Sequence, residues 1–125
     1  MHNDRRRQLG ALGEQLAAEH LARRGMRILA RNFHTRHGEL DIVAADATTL
    51  VFCEVKTRLP TPTGRDPLES VHLRKRTQVR RMAAVWLATQ TAGRPRPPEL
   101  RFDAIGVTVT PDGQLLRLDH VEGAF

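Results

Sequence analysis

Leu9, Leu12 and Leu16, with Leu21 at the margin, recur at helical spacing between Asp4 and Arg24. That stretch predicts a helix. Asn3 or Asp4 can cap its start, and Gly25 after Arg23 and Arg24 is a good stop. Met26 to Phe33 reads as a strand, and Arg36-His37-Gly38 as a turn. Two apolar, β-branched runs follow, Glu39 to Ala45 and Leu50 to Lys56, with the hairpin-length loop Asp46-Ala47-Thr48-Thr49 between them. Thr57 to Arg65 has no periodicity and reads as a loop. Asp66-Pro67-Leu68-Glu69 then opens a second helix, with Asp66 at the cap, Pro67 in the first turn and Glu69 reaching back. Its apolar stripe is Val71, Val79, Met82, Ala83, Trp86 and Leu87. Gly93 and the run Pro95 to Pro98 end it. Phe102 to Val109 and Gln114 to Val121 make a terminal hairpin around Pro111-Asp112-Gly113.

The predicted order is α-β-β-β-α-β-β. The second helix acts as a crossover, so the Glu54 strand and the Phe102 strand can lie parallel. The expected class is α/β, a mixed sheet flanked by helices.

A chain of 125 residues, 40% of them hydrophobic, fits one domain, taken as 1–125, with a core of its own. No apolar run approaches membrane-spanning length, and the N-terminal arginines have no apolar segment behind them, so no secretory signal is expected. Cys53 is the only cysteine, which excludes an internal disulfide and suits a reducing cytoplasm. A net charge of +6 makes nucleic acid the polyanion to consider; a basic protein with no such partner is the alternative. Aromatic residues are 4% of the chain, which gives little sign of a base-stacking platform. The basic residues are almost all arginine, and the lysines are Lys56 and Lys75.

Lys56 falls in the most informative stretch, Gly38-Glu39-Leu40-Asp41-Ile42-Val43-Ala44 followed by Val51-Phe52-Cys53-Glu54-Val55-Lys56. Strand alternation puts Glu39, Asp41 and Val43 on one face, and Phe52, Glu54 and Lys56 on one face of the partner strand. With a four-residue loop, Ala45 pairs with Leu50, Val43 with Phe52, Asp41 with Glu54 and Glu39 with Lys56. Two carboxylates that close stay charged only around a cation. A hard divalent ion, Mg²⁺ or Mn²⁺, suits Asp41, Glu54 and the Val55 carbonyl. Lys56 can hold a phosphate or orient an attacking water. Asp41, Glu54 and Lys56 thus have the residue types for metal-assisted phosphodiester hydrolysis. The alternative is a Glu39–Lys56 surface ion pair beside two solvated acids.

Glu14 is a further candidate. Gly10, Ala11, Ala17 and Ala18 surround it on the helix, so the helix can approach the sheet and aim this carboxylate at a cation. Arg74, Lys75, Arg76 and Arg80, with Arg58 after the Glu-x-Lys run, are candidate phosphate contacts, against the alternative of a solvated face. The six histidines show no ligand spacing. Asp103 shares parity with Ile105 and Val107, and its role stays open.

Gly13-Glu14, Arg31-Asn32, Gly38 to Ala44, Val51 to Arg58 and Arg101-Phe102-Asp103 together resemble the YraN-like family of small bacterial proteins. The resemblance runs from about Leu9 to Val109. It implies a restriction-endonuclease-like fold, similar to archaeal Holliday-junction resolvases, and a PD-(D/E)xK-type site. In that pattern Asp41 is the motif aspartate, Glu54-Val55-Lys56 the E-x-K element and Glu14 the acid of the first helix. Leu40 stands where the motif has proline. The implied activity is a metal-dependent DNA endonuclease acting on branched or repair intermediates; a homodimer would suit cutting of two strands. A nucleic-acid-binding protein of the same fold without cleavage, and a structural protein of the cytoplasm, are the competing functions. Fold likeness alone does not choose between them.

Overall fold

A computed structural model describes residues 2–61, 73–90 and 97–125. The elements run α1 (His2–Arg23), β1 (Arg27–Thr35), β2 (Gly38–Ala45), β3 (Thr49–Arg58), α2 (Leu73–Ala88), β4 (Glu99–Val109) and β5 (Leu115–Val121). The order is the expected α-β-β-β-α-β-β, and the class is α/β. One sheet holds all five strands in sequence order. β1–β2, β2–β3 and β4–β5 are antiparallel, whereas β3–β4 is parallel, in register from Thr49↔Glu99 to Arg58↔Thr108. The parallel pair follows from the crossover through α2. The expected helix start at Asp66 to Glu69, and Val71 in its stripe, lie outside the described residues.

α1 stops where its glycine allows. Gly25 takes a φ of 85°, its N–H donates to the Ala22 carbonyl at 3.0 Å, and the Met26 N–H reaches back to Leu21 at 3.0 Å. This double closure is a Schellman cap, completed by the buried pair Met26 and Leu21. The β2–β3 connection is held by Asp46, whose carboxylate accepts the N–H groups of Thr48 (2.9 Å) and Thr49 (2.8 Å). Ala45↔Leu50 and Val43↔Phe52 pair as the loop length requires.

Two cores sandwich the sheet. On the α1 side, Ala17, Ala18 and Leu21 pack over Ile42, Ala44, Val51, Cys53, Ile105, Val107 and Val109. On the α2 side, Val79, Met82, Ala83 and Trp86 pack over Leu40, Val43, Leu50, Phe52 and Ala104. Phe52 stacks on Phe102 and meets Trp86 edge-on. Among the described residues no helix is long and apolar enough to cross a membrane.

One irregularity breaks the alternation in β2. Leu40 and Val43 both belong to the α2-side core, although they are three residues apart. Asp41 and Ile42 between them both turn to the α1 side; Ile42 joins that core and Asp41 meets Glu14 of α1. Arg31 pairs with Ile42 and Phe33 with Leu40, so Asn32 is the β1 residue at the level of Asp41, and it carries a φ of 52°. The left-handed Asn32 breaks the regular pleat at this level while the register either side of it is kept, and Asp41 and Ile42 come to share a face. Asn tolerates this left-handed conformation better than most residues. The expectation that Asp41 and Val43 share a face is therefore corrected: they lie on opposite faces.

Candidate active site

β2 and β3 pair only from Ala45↔Leu50 to Ile42↔Cys53. Beyond that point β2 continues with β1, out to Thr35↔Gly38, and parts from β3. A gap opens along the β2-side edge of β3 from Glu54 onward. The Asp41 carboxylate sits in it, accepting the Val55 N–H through Oδ2 at 2.8 Å. Asp41 is buried, at 6% exposure. A residue's N–H and C=O point to the same edge of a strand. The Val55 carbonyl therefore faces the gap beside Asp41.

α1 brings Glu14 to the same place. Gly13 packs so tightly on β3 that a Cβ there would overlap the Thr57 side chain. The absent side chain sets the depth of α1, and Glu14 follows it to Asp41 and Asn32, with both of which it hydrogen-bonds. Burial, and then the Asp41 charge, push the Glu14 carboxyl up to about 7. Asn32 and the charge of Arg31 pull the other way. Arg31 is itself braced by Gln15 at 2.9 Å. Near neutral pH two acids here share a proton, a state that a hard cation would displace. In donor chemistry the Asp41 and Glu14 carboxylates and the Val55 carbonyl fit a divalent ion such as Mg²⁺ or Mn²⁺.

Glu54 and Lys56 arrive differently. Val55 packs with the α1-side core and Thr57 meets Gly13, so alternation turns Glu54 and Lys56 to the other face of β3. Glu54 is half-buried at the start of the gap, and Lys56 is exposed. Burial raises the Cys53 thiol well above its ordinary pKa, with Asp103, Asp41 and Glu54 adding to it, so this cysteine is no nucleophile. Among the described residues no three His, Cys, Asp or Glu side chains converge closely enough to hold a metal together. The expected opposition of Asp41 to Glu54 and of Glu39 to Lys56 is not made, because β2 has left β3 by that level. Glu39 faces His34 on β1 instead, and their side chains meet at 2.9 Å.

The candidate phosphate contacts divide. The side chains of Arg74 and Lys75 lie outside the described residues. Arg76 is exposed on α2 and Arg58 is half-buried at the end of β3. Arg80 is engaged within the chain: it donates to the Phe125 backbone oxygen at 2.8 Å and lies over the Phe102 ring at 4.5 Å.

Sequence reasoning gave Asn32 no role; a lone Asn, which tolerates a positive φ, in a strand-like run was the available signal. It also left Asp103 open. That residue, fully buried, anchors a second polar cluster. Its carboxylate takes two hydrogen bonds from Arg101 (2.9 Å each), one from Gly123 N (3.0 Å), and contacts His120 Nε2 at 2.8 Å. His120 Nδ1 in turn meets His20 Nε2 of α1 at 3.0 Å. Residues a hundred positions apart leave no spacing signal.

These features define an α/β protein with a pair of interacting acids, Asp41 and Glu14, where two central strands part. The chain belongs to the Uncharacterised protein family UPF0102, the YraN-like group, which it matches over residues 13–107. It is 46% identical over 117 residues to a UPF0102 protein of Frankia alni, covering 94% of this chain and 93% of that one. Against a UPF0102 protein of Acidothermus cellulolyticus it is 46% identical over 128 residues, covering 96% and 95%. A UPF0102 protein of Mycolicibacterium smegmatis is 51% identical over 106 residues, covering 83% and 82%.

Proposed function

We propose that this chain is a Mg²⁺- or Mn²⁺-dependent nuclease that hydrolyses phosphodiester bonds in DNA, branched or repair intermediates among its substrates. The observation that carries the reading is the Asp41 carboxylate fixed on the Val55 N–H at 2.8 Å with Glu14 beside it. A structural acid has no need of a second acid at its side, and groups perturbed this way mark functional sites.

In this reading Asp41, Glu14 and the Val55 carbonyl hold the cation from the α1 side, Glu54 reaches it through the gap from the other face of β3, and Glu14 gives up its proton as the cation binds. The cation, when bound, supplies neutralisation of charge on the phosphate and a lowered pKa for a nearby water. Val55 N–H keeps Asp41 from rotating. Lys56 and Arg58 border the same gap along β3, where an ammonium and a guanidinium would orient the phosphate. Arg76, exposed on α2, would add a further contact to the nucleic-acid backbone. Cutting two strands would call for two such chains.

The second reading is binding without cleavage. It is favoured by the lack, among the described residues, of a converged group of three metal-ligating side chains. Titration with Mn²⁺ by calorimetry, beside an Asp41→Asn/Glu54→Gln variant, separates the two when followed by cleavage assays on branched and linear DNA. Wild-type binding, lost in the variant, with product formed only in metal and abolished by Lys56→Ala, supports the nuclease. Salt-sensitive DNA binding with no product in either metal overturns it in favour of the second reading.

A further inference from the structure

β5 is one edge of the sheet, and no other strand of the described residues pairs with its outer side. Of the five large apolar side chains exposed among the described residues, three are on this short strand: Leu115 (43%), Leu116 (56%) and Val121 (44%). Folded proteins ordinarily guard such an edge with lysine, proline, a bulge or a covering loop, because open N–H and C=O groups beside apolar side chains invite another strand. On β5 the register irregularity is confined to Leu116, and Arg117 to Val121 run regularly along β4. Here the only charges on β5 are Arg117 and Asp119, which sit one residue either side of Leu118.

That arrangement is self-complementary. Two copies of β5 laid antiparallel about Leu118 bring Arg117 opposite Asp119 of the partner subunit on both sides of the axis. No neighbouring register does this. Centring on Arg117 or Asp119 sets like charges face to face, and a half-step slip sets Arg117 against Leu118 in one direction and Asp119 against Leu118 in the other. The register shift from Thr108↔Arg117 to Val109↔Leu115 takes Leu116 out of the ladder, so the regular stretch of the seam is Arg117 to Val121. Within one chain Arg117 Nε already meets Asp119 Oδ2 at 2.7 Å, so the two share a face. Across the two-fold axis the four charges would close into an alternating ring. Arg117 is 58% exposed and can reach both carboxylates.

We infer that β5 is the seam of a homodimer, in which two five-stranded sheets join edge to edge about Leu118 into one continuous sheet. The interface is isologous: the same strand serves both sides, as a two-fold axis requires. The inference stands on the edge strand alone and holds whether or not the chain cuts nucleic acid.

Sedimentation velocity over a concentration series tests it with two opposite charge reversals. Arg117→Asp makes the strand doubly acidic, and Asp119→Arg makes it doubly basic. Each variant alone should dimerise at least tenfold more weakly than the wild type. Mixed in equal amounts they should recover a heterodimer, because each acidic position then faces an arginine. Loss of the intrachain Arg117–Asp119 pair cannot produce that recovery. Should either reversal fail to fold, Val121→Lys, at an exposed position within the regular stretch, should weaken the dimer as strongly. A wild type that stays monomeric up to the highest concentration overturns the inference. So does a dimer that survives every substitution, or a mixture that stays monomeric while both variants are folded.

Discussion

The Asp41 carboxylate accepts the Val55 N–H at 2.8 Å where the β2–β3 ladder has ended. A side chain has taken the place that the next backbone pair would fill. That substitution holds the acid in a fixed orientation and leaves the Val55 carbonyl facing the same gap. It also adds to the perturbation of Glu14, which burial raises first and which then meets an acid that cannot turn away.

Asp41→Asn separates charge from shape. The amide oxygen can still accept from Val55 N, so the fold should hold, but the negative charge beside Glu14 is gone. The Glu14 titration, followed by carboxyl carbon NMR, should move down from about 7. It should stop short of the ordinary value, since burial is the larger cause. A midpoint that stays near 7 would remove Asp41 as a contributor.

Glu14→Gln should stabilise the protein at neutral and alkaline pH. A carboxyl raised in the folded state binds its proton more tightly there than in the unfolded chain. Its contribution is present in full below the unfolded value of 4.5 and is lost as pH rises through about 7. The variant should match the wild type at pH 4 and exceed it by about 1 kcal/mol at pH 8, after discounting for the solvent around this half-exposed group. Urea midpoints at the two pH values measure the difference. Equal midpoints at pH 8 would mean that Glu14 ionises freely.

Gly13→Ala sets helix propensity against packing. Alanine favours the helix by about 0.5–1 kcal/mol. Its methyl group would overlap the Thr57 side chain, and overpacking of this kind costs about 1–3 kcal/mol. Net destabilisation is expected and, on the proposed function, weaker Mn²⁺ binding as α1 lifts Glu14 from Asp41. Thr57→Ala in the same chain should restore both. A stabilised Gly13→Ala would show that the helix sits farther from β3.

The order and kind of the elements were legible because each left a local signal. The leucine stripe of α1, the glycine stop at Gly25 and the Asp46 loop each depend on near neighbours in sequence. The loop length also fixed the true register from Ala45 to Ile42. Extending that register to Asp41 and Glu39 failed for a physical reason: a sheet twists, and β2, paired with β1 throughout, leaves β3 beyond Ile42 at the level where Asn32 takes a positive φ. Alternation cannot foresee a break in the pleat. Glu14 was legible through its small neighbours Gly10, Ala11, Ala17 and Ala18. The Asp103–His120–His20 cluster was not, since it forms only when β5 returns beneath α1.

That cluster yields the last expectation. Asp103 is fully buried, and burial alone would raise its pKa. Hydrogen bonds from His120, Arg101 and the Gly123 amide outweigh burial and hold the carboxyl below its ordinary value of 3.8. An ionised Asp103 only accepts, so His120 must donate from Nε2, and its neutral form presents a bare Nδ1 to the Nε2–H of His20. The His20–His120 contact can carry one extra proton but not two, because two N–H groups would then face each other across 3.0 Å. Burial and the nearby His120, Arg24 and Arg23 depress the His20 pKa below 6.5, so its contribution to stability is lost as pH falls below that value. Asp103 acts lower: its contribution is present above the unfolded value and is lost as pH falls through its depressed folded value. Asp103→Asn should cost about 2–4 kcal/mol at pH 7, because Arg101 is left as a half-buried charge without its bidentate partner. The same substitution should flatten the acid limb of the stability curve below pH 4, whereas the loss starting near pH 6.5 should persist until His20 is also replaced, for example by Gln. Urea denaturation from pH 3 to 8 on the three proteins measures both limbs. An Asp103→Asn protein as stable as the wild type at pH 7 would show that α1 is held to β5 by its apolar contacts alone.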